Sequence, residues 1–243
     1  MDLKLKDVAE LLNVSKTTIR RWLADGKLPA YRINNQYRFN RGEIEDWVLR
    51  HRIDPSQDEV TIEESAEDDE DAINDNATAG TKQFSLYRAI NKGGVLYQVP
   101  GVDKEQVIRN AMAITANSLN LDGEVLTDLL LDREKLMATG LGHGIGVPHT
   151  RDFLLNGQQD AVIVAFPEKP IDYDSLDGQP VHTLFFLFAC DDKRHLHLLA
   201  KIAHLSSQPE TLELLKSRPP RGVFLEYVKN WEAQIAQHRC VGV

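Results

Sequence analysis

The chain has 243 residues, 42% of them apolar, which suffices for one large domain or two modest ones around a real core. Its formal charge of -9 excludes a basic nucleic-acid coat over the whole surface. The two cysteines, Cys190 and Cys240, lack metal-ligand spacing and imply no disulfide framework, so a reducing compartment is expected. No signal-type apolar stretch opens the chain, and the longest apolar run, Leu184–Cys190, is too short to span a bilayer. A cytoplasmic protein without membrane insertion is therefore expected.

The net charge hides an asymmetry. Residues 1–51 carry ten Lys/Arg and seven Asp/Glu, net +3. Residues 52–80 carry one Arg and eleven Asp/Glu, net -10, and the remainder is net -2. A mildly basic head, an acidic tether and a near-neutral body are predicted, with boundaries at 1–52, 53–82 and 83–240.

In the head, Leu5, Val8, Ala9, Leu11 and Leu12 form an apolar stripe at helical spacing. Ser15 is placed to cap a second helix with Ile19, Trp22 and Leu23 inward. That leaves Lys16, Thr17, Thr18, Arg20 and Arg21 outward, short polar and cationic side chains suited to bases and phosphates. Tyr31–Phe39 reads as a hairpin with Asn34-Asn35 at its tip, flanked by Arg32 and Arg38 as backbone contacts. Asn40 is placed to cap a third helix through Trp47. This segment, from Leu5-Lys6-Asp7-Val8-Ala9-Glu10-Leu11-Leu12 through Thr18-Ile19-Arg20-Arg21-Trp22 to Arg38-Phe39 and Trp47, resembles the winged helix-turn-helix of excisionase and MerR-like DNA-binding domains. The resemblance implies DNA as a partner. One such module makes few phosphate contacts, so pairing of two chains is expected. Residues 54–80, charged and without aromatics, are expected to be a disordered tether that lets head and body move independently.

The body opens at Phe84–Ile90, followed by a short strand at Val95–Val99. Asp103 and Gln106 form a capping box, and Val107, Ile108, Ala111 and Ile114 line a helix face. A second helix, Gly123–Met137, uses Val125, Leu126, Leu129 and Leu130. Strands at Ala161–Phe166 and Val181–Ala189 and helices at Lys193–Leu205, Glu210–Ser217 and Val223–Gln237 complete an α/β pattern. Between them lies a glycine-rich loop, residues 139–149, that lacks the Gly-Lys-Ser/Thr of a phosphate-binding nucleotide loop. Pro148 keeps Val147 extended, so the loop feeds a strand that ends at His149, with glycine amides nearby that could hold an anion.

His195 opens the inward face of its helix, ahead of Leu198, Leu199 and Ile202, while His197 points to the wet side. Asp191 or Asp192 is placed to cap this helix, whose N-terminus favours an anion beside His195. Two imidazoles with glycines and no carboxylate pair suit phosphoryl transfer through histidine. A metal held by His143, His149 and His195 lacks close ligand spacing, so neither metal nor other cofactor is expected.

Here the chain resembles the enzyme IIA domains of the bacterial phosphotransferase system, in the fructose/mannitol and nitrogen-regulatory (PtsN-like) class. The residues that carry it are Arg133-Glu134, Thr139-Gly140-Leu141-Gly142, Gly144-Ile145-Gly146-Val147-Pro148-His149 with Arg151 beyond, and His195-Leu196-His197-Leu198-Leu199. The resemblance implies a mixed sheet flanked by helices. It implies His149 as acceptor of phosphate from a phosphohistidine on an HPr-like (NPr-like) carrier protein, His195 as its hydrogen-bonding support, and Arg151 and Thr139 at the site. Arg133 and Glu134 are expected to fix loop geometry, and His182 to be structural. His143 departs from the family, where a small polar residue is commoner between the two glycines. A regulator whose DNA binding follows its phosphorylation, with further protein partners, is the leading reading. A relay for a sugar permease, and a DNA-binding regulator with an inactive body, remain open.

Overall fold

Ser15 and Asn40 set where the second and third helices of the head begin. The computed structural model describes residues 2–12, 14–33, 36–50, 85–150, 152, 155, 159–175 and 177–241. The expected tether and Arg151 lie outside the described residues. The head runs β1 (Asp2–Lys4), α1 (Leu5–Leu12), α2 (Lys16–Ala24), β2 (Tyr31–Ile33), β3 (Gln36–Asn40) and α3 (Arg41–Arg50). Its three strands pair antiparallel in the order β1-β3-β2, the hairpin forming the wing. Ser15 Oγ accepts the Thr18 amide at 3.0 Å, and Asn40 Oδ1 accepts the Gly42 amide at 2.9 Å. Val8, Ile19, Phe39 and Ile44 are fully buried between the helices and the wing, and Trp47 Nε1 donates to the Lys27 carbonyl at 2.6 Å.

The body contains α4 (Leu86–Gly93), β4 (Val95–Val99), α5 (Lys104–Thr115), a 3₁₀ turn (Ala116–Leu119), α6 (Gly123–Leu136), β5 (Gly140–Gly142), β6 (Ile145–Gly146), β7 (Ala161–Pro167), β8 (Thr183–Phe188), α7 (Asp192–Ser207), α8 (Pro209–Lys216) and α9 (Arg221–Val241). Its five-stranded sheet has the order β4-β7-β8-β6-β5. The pairs β4–β7 and β6–β8 are parallel, while β7–β8 and β5–β6 are antiparallel. β7 and β8 are buried along their whole lengths, which is why they read as unbroken apolar runs rather than alternating ones. Alternate residues serve opposite faces. Ile163, Phe186 and Phe188 pack with α5 and α6, whereas Val162, Val164, Phe185 and Leu187 join α4, α7 and α9. No helix among the described residues is long and apolar enough to cross a membrane.

The second of these apolar clusters also includes Val8, Leu12, Val48 and Leu49 of the head. Head and body, expected to move independently, are packed on each other, α1 and α3 against α7. Arg41 pairs with Asp192 at 2.5 Å, and Arg133 Nη2 reaches Asp46 at 3.3 Å.

His197, read as lying on the wet side, is buried: α7 is packed on several sides by α1, α3, α4, α8 and β8. Ile114 and Val125, read as core, are instead exposed. Their helices turn Met112 and Thr115, and Leu126 and Leu130, inward.

Candidate active site

The glycine loop is a hairpin. Gly142, His143 and Gly144 have φ of 81°, 53° and 78°, a left-handed run that requires glycine at two of three positions. The His143 amide donates to Asp177 Oδ2 at 2.6 Å. That amide is therefore occupied, and the four hairpin glycines are buried, so the expected open cluster of glycine amides is not present here. The His143 ring stays exposed at the tip, apart from the buried histidines.

Glu134 clamps the start of the hairpin. Its carboxylate accepts the Thr139 amide at 2.9 Å, the Thr139 hydroxyl at 2.6 Å and the Tyr173 hydroxyl at 3.2 Å. Burial, together with the Glu134 charge, pushes the Tyr173 phenol well above its ordinary range, so it stays protonated and donates. Thr139, expected to offer its hydroxyl to the site, instead commits that proton to Glu134. The Thr139 carbonyl accepts the Val147 amide at 2.9 Å, which tethers the segment ahead of His149.

His149 follows Pro148 and bridges to Leu187 of β8, so its backbone is held at the sheet. Its Nδ1 lies 2.7 Å from the Val147 carbonyl. A carbonyl only accepts, so Nδ1 carries the proton. Nε2 lies 2.7 Å from Oε1 of Glu45, which comes from α3 of the head. A proton must lie between Nε2 and Oε1, and the Nε2 lone pair is thereby engaged. Arg133 Nη2 supports the same carboxylate oxygen at 3.3 Å, while its Nη1 donates to the Met137 carbonyl at 3.2 Å. Arg133 thus reaches beyond loop geometry to the head's carboxylate.

His195 lies in the first turn of α7, whose cap is Asp191, accepting the Arg194 amide at 2.9 Å. The ring centroids of His149 and His195 are 5.3 Å apart. Burial first, then the charge on His149, lowers the His195 pKa to about 3, so this ring is neutral. Its Nε2 has no hydrogen-bond partner among the described residues. Glu45, His149 and His195 are almost wholly buried, and one donor atom from each lies within 4.8 Å of the others. Glu45, rather than His143, completes this potential ligand set.

Sequence reasoning missed Glu45. The available signal was α3 itself, where Glu45 stands between Ile44 and the pair Val48-Leu49. The helix carries more apolar surface than one small head needs.

The DNA candidates divide. Lys16, Thr17, Arg20 and Arg21 on α2 and Arg32 on β2 are exposed. Arg38 is half-buried and donates to Gln36 Oε1 at 2.8 Å. Thr18 is buried, with Oγ1 2.9 Å from Ser15 Oγ, so it serves the helix cap instead of the outward face. Since α1 and α3 face the body, the outer residues of α2 remain exposed in the docked form.

Comparison with known proteins places both parts. The family model described as the phosphoenolpyruvate-dependent sugar phosphotransferase system EIIA 2 matches residues 88–231, and a helix-turn-helix domain model matches residues 3–52. A nitrogen regulatory protein of Pseudomonas aeruginosa is 35% identical over 138 residues, covering 55% of this chain and 88% of that protein. One of Escherichia coli K12 is 35% identical over 122 residues, covering 49% and 74%. The crystal structure of nitrogen regulatory protein IIA-Ntr from Neisseria meningitidis superposes with a TM-score of 0.50 at 24% identity, covering 62% of this chain and 99% of that one, a likeness of fold. With more than half its length matched, the chain belongs to the phosphotransferase-system EIIA 2 family and carries a helix-turn-helix domain ahead of its EIIA body.

Proposed function

We propose that the chain is a regulatory phosphocarrier in which His149 accepts a phosphoryl group and thereby controls the DNA-binding head. With Nδ1–H held by the Val147 carbonyl, a neutral His149 presents its lone pair at Nε2. Nε2 attacks the phosphorus of a phosphohistidine on an HPr-like carrier. The new N–P bond forms as the donor's N–P bond breaks, and the electron pair returns to the donor ring. His195, neutral and 5.3 Å away, then hydrogen-bonds the phosphoryl oxygens.

The observation that carries the coupling is the Glu45 carboxylate on Nε2 at 2.7 Å. His149 is fully buried, and Glu45 of the head lies against its reactive nitrogen. The docked form is shut. The head must lift before the carrier can deliver phosphate, and a phosphoryl group on Nε2 then repels Glu45 and occupies its place. Release frees the head from the body, and two heads can then meet one duplex through Lys16, Thr17, Arg20, Arg21 and Arg32. A phosphohistidine carrier and a DNA partner both favour a cytoplasmic protein.

The test is incubation of the full chain with phosphoenolpyruvate and phosphotransferase carrier proteins, followed by mass analysis. Acid-labile phosphate that disappears in His149→Ala supports the acceptor role, and its absence from the wild-type chain refutes it. DNA affinity of the phosphorylated and unphosphorylated forms at fixed salt tests the coupling, which equal affinities would refute.

A further inference from the structure

We infer that Glu45, His149 and His195 form a binding site for a divalent transition-metal ion of the zinc class, which staples the head to the body and withholds His149 from phosphorylation. The staple stands on geometry alone, while its effect on phosphorylation rests on the acceptor role proposed for His149.

Two imidazoles and one carboxylate are a ligand set that zinc favours, with a fourth position left for water. The three come from α7, the strand edge and α3, so the ion would join two parts of the chain that share no ligand-bearing element. One donor atom of each lies within 4.8 Å of the others, and all three side chains are at least 99% buried. His195 Nε2 has no hydrogen-bond partner among the described residues, so coordination would satisfy a buried polar atom that is otherwise left bare.

The outer contacts are those of a supported metal centre. His149 Nδ1 is held by the Val147 carbonyl at 2.7 Å, which orients the ring and directs Nε2 at the ion. Arg133 braces Glu45 at 3.3 Å. The charges nearby permit a cation: Glu45, Asp46 and Asp192 face Arg41 and Arg133, three negative against two positive. The ion takes the place of the proton between Nε2 and Glu45 Oε1. These atoms must part from 2.7 Å to about 3.3 Å to meet metal bonds of about 2.0–2.1 Å. Binding therefore releases about one proton. Metal and phosphoryl group claim the same nitrogen and exclude each other.

The experiment titrates the chelator-stripped full chain with Zn²⁺ in two buffers of different ionisation heat. Expected are one ion per chain, about one proton released, and affinity at least about tenfold weaker in Glu45→Gln and in His195→Gln, both near in shape to the originals. Circular dichroism confirms folding, and Co²⁺ gives a tetrahedral visible spectrum that is lost in the same variants. No stoichiometric binding, or equal affinity in wild type and variants, overturns the site. In a parallel arm, Zn²⁺ slows phosphorylation by the carrier in wild type and less in Glu45→Gln. Zinc binding at the three residues without phosphorylation at His149 would sink the acceptor reading and leave the staple. Phosphorylation without zinc binding would do the reverse.

Discussion

Replacing Glu45 by alanine should accelerate phosphorylation of His149. In the docked form the carboxylate accepts from the His149 ring at 2.7 Å and from Arg133 at 3.3 Å, with both residues buried. Removing one member of a buried, hydrogen-bonded charge pair costs about 2–5 kcal/mol. The lower end applies, because Arg133 retains Asp46 and the Met137 carbonyl. At about 1.4 kcal/mol per tenfold, 2 kcal/mol shifts the balance between docked and lifted heads about 30-fold. If lifting precedes phosphate delivery, the initial rate rises by up to that factor. The nucleophile is unchanged, since Nδ1 keeps its bond to the Val147 carbonyl. The assay is rapid-quench measurement of acid-labile phosphate with a phosphorylated carrier at subsaturating concentration. A rate in Glu45→Ala equal to or below that of wild type, in a folded chain, would refute the claim that Glu45 shuts the site.

Three further outcomes follow from the same contacts. The His195 ring has an ordinary pKa of 6.5 when unfolded and about 3 when folded, so below pH 6.5 the unfolded chain binds this proton and the native one does not. Its contribution therefore lowers stability as pH falls from 6.5 toward 3, by up to ~1.4 kcal/mol per pH unit, and has no effect above 6.5. Denaturant melts of His195→Gln should show a shallower acid slope than wild type, and parallel slopes would contradict the buried neutral ring. Thr139→Val should destabilise the body by about 1–3 kcal/mol, because Glu134 loses a hydroxyl donor in a buried site, and an unchanged unfolding midpoint would contradict that clamp. Arg20→Ala should weaken DNA binding and reduce its salt slope by about one, whereas Thr18→Val should leave the slope unchanged, and equal effects of the two would contradict the burial of Thr18.

Much of this molecule is legible in its sequence, for physical reasons that vary by element. Ser15, Asn40, Asp103 and Asp191 declare helix starts because a short polar side chain there satisfies amides that have no other partner. β7 and β8 declare themselves by apolar runs that only a strand buried on both faces needs. His149 and His195 stand out because each is an imidazole at the start or end of a rigid element. What could not be read is relational. Thr18 looks outward on a helical wheel, yet the cap turns its hydroxyl to Ser15. His197 looks wet on α7 alone, and is buried once the elements around that helix pack on it. Glu45 looks like an ordinary surface acid of a small helix, and 104 residues separate it from the ring it contacts. Local periodicity reports on one element at a time, whereas docking of head on body is decided by two surfaces at once.

The central claim is that a phosphoryl group on His149 and a docked head exclude each other. Amide hydrogen exchange across Arg41–Arg50 and Asp192–Ser207, compared between phosphorylated and unphosphorylated full chains, addresses it directly. Faster exchange in both segments on phosphorylation, reversed when the phosphate is hydrolysed, is the predicted result. Identical protection in the two forms would mean that α3 stays on the site with phosphate in place, which the 2.7 Å contact between Glu45 and Nε2 does not permit.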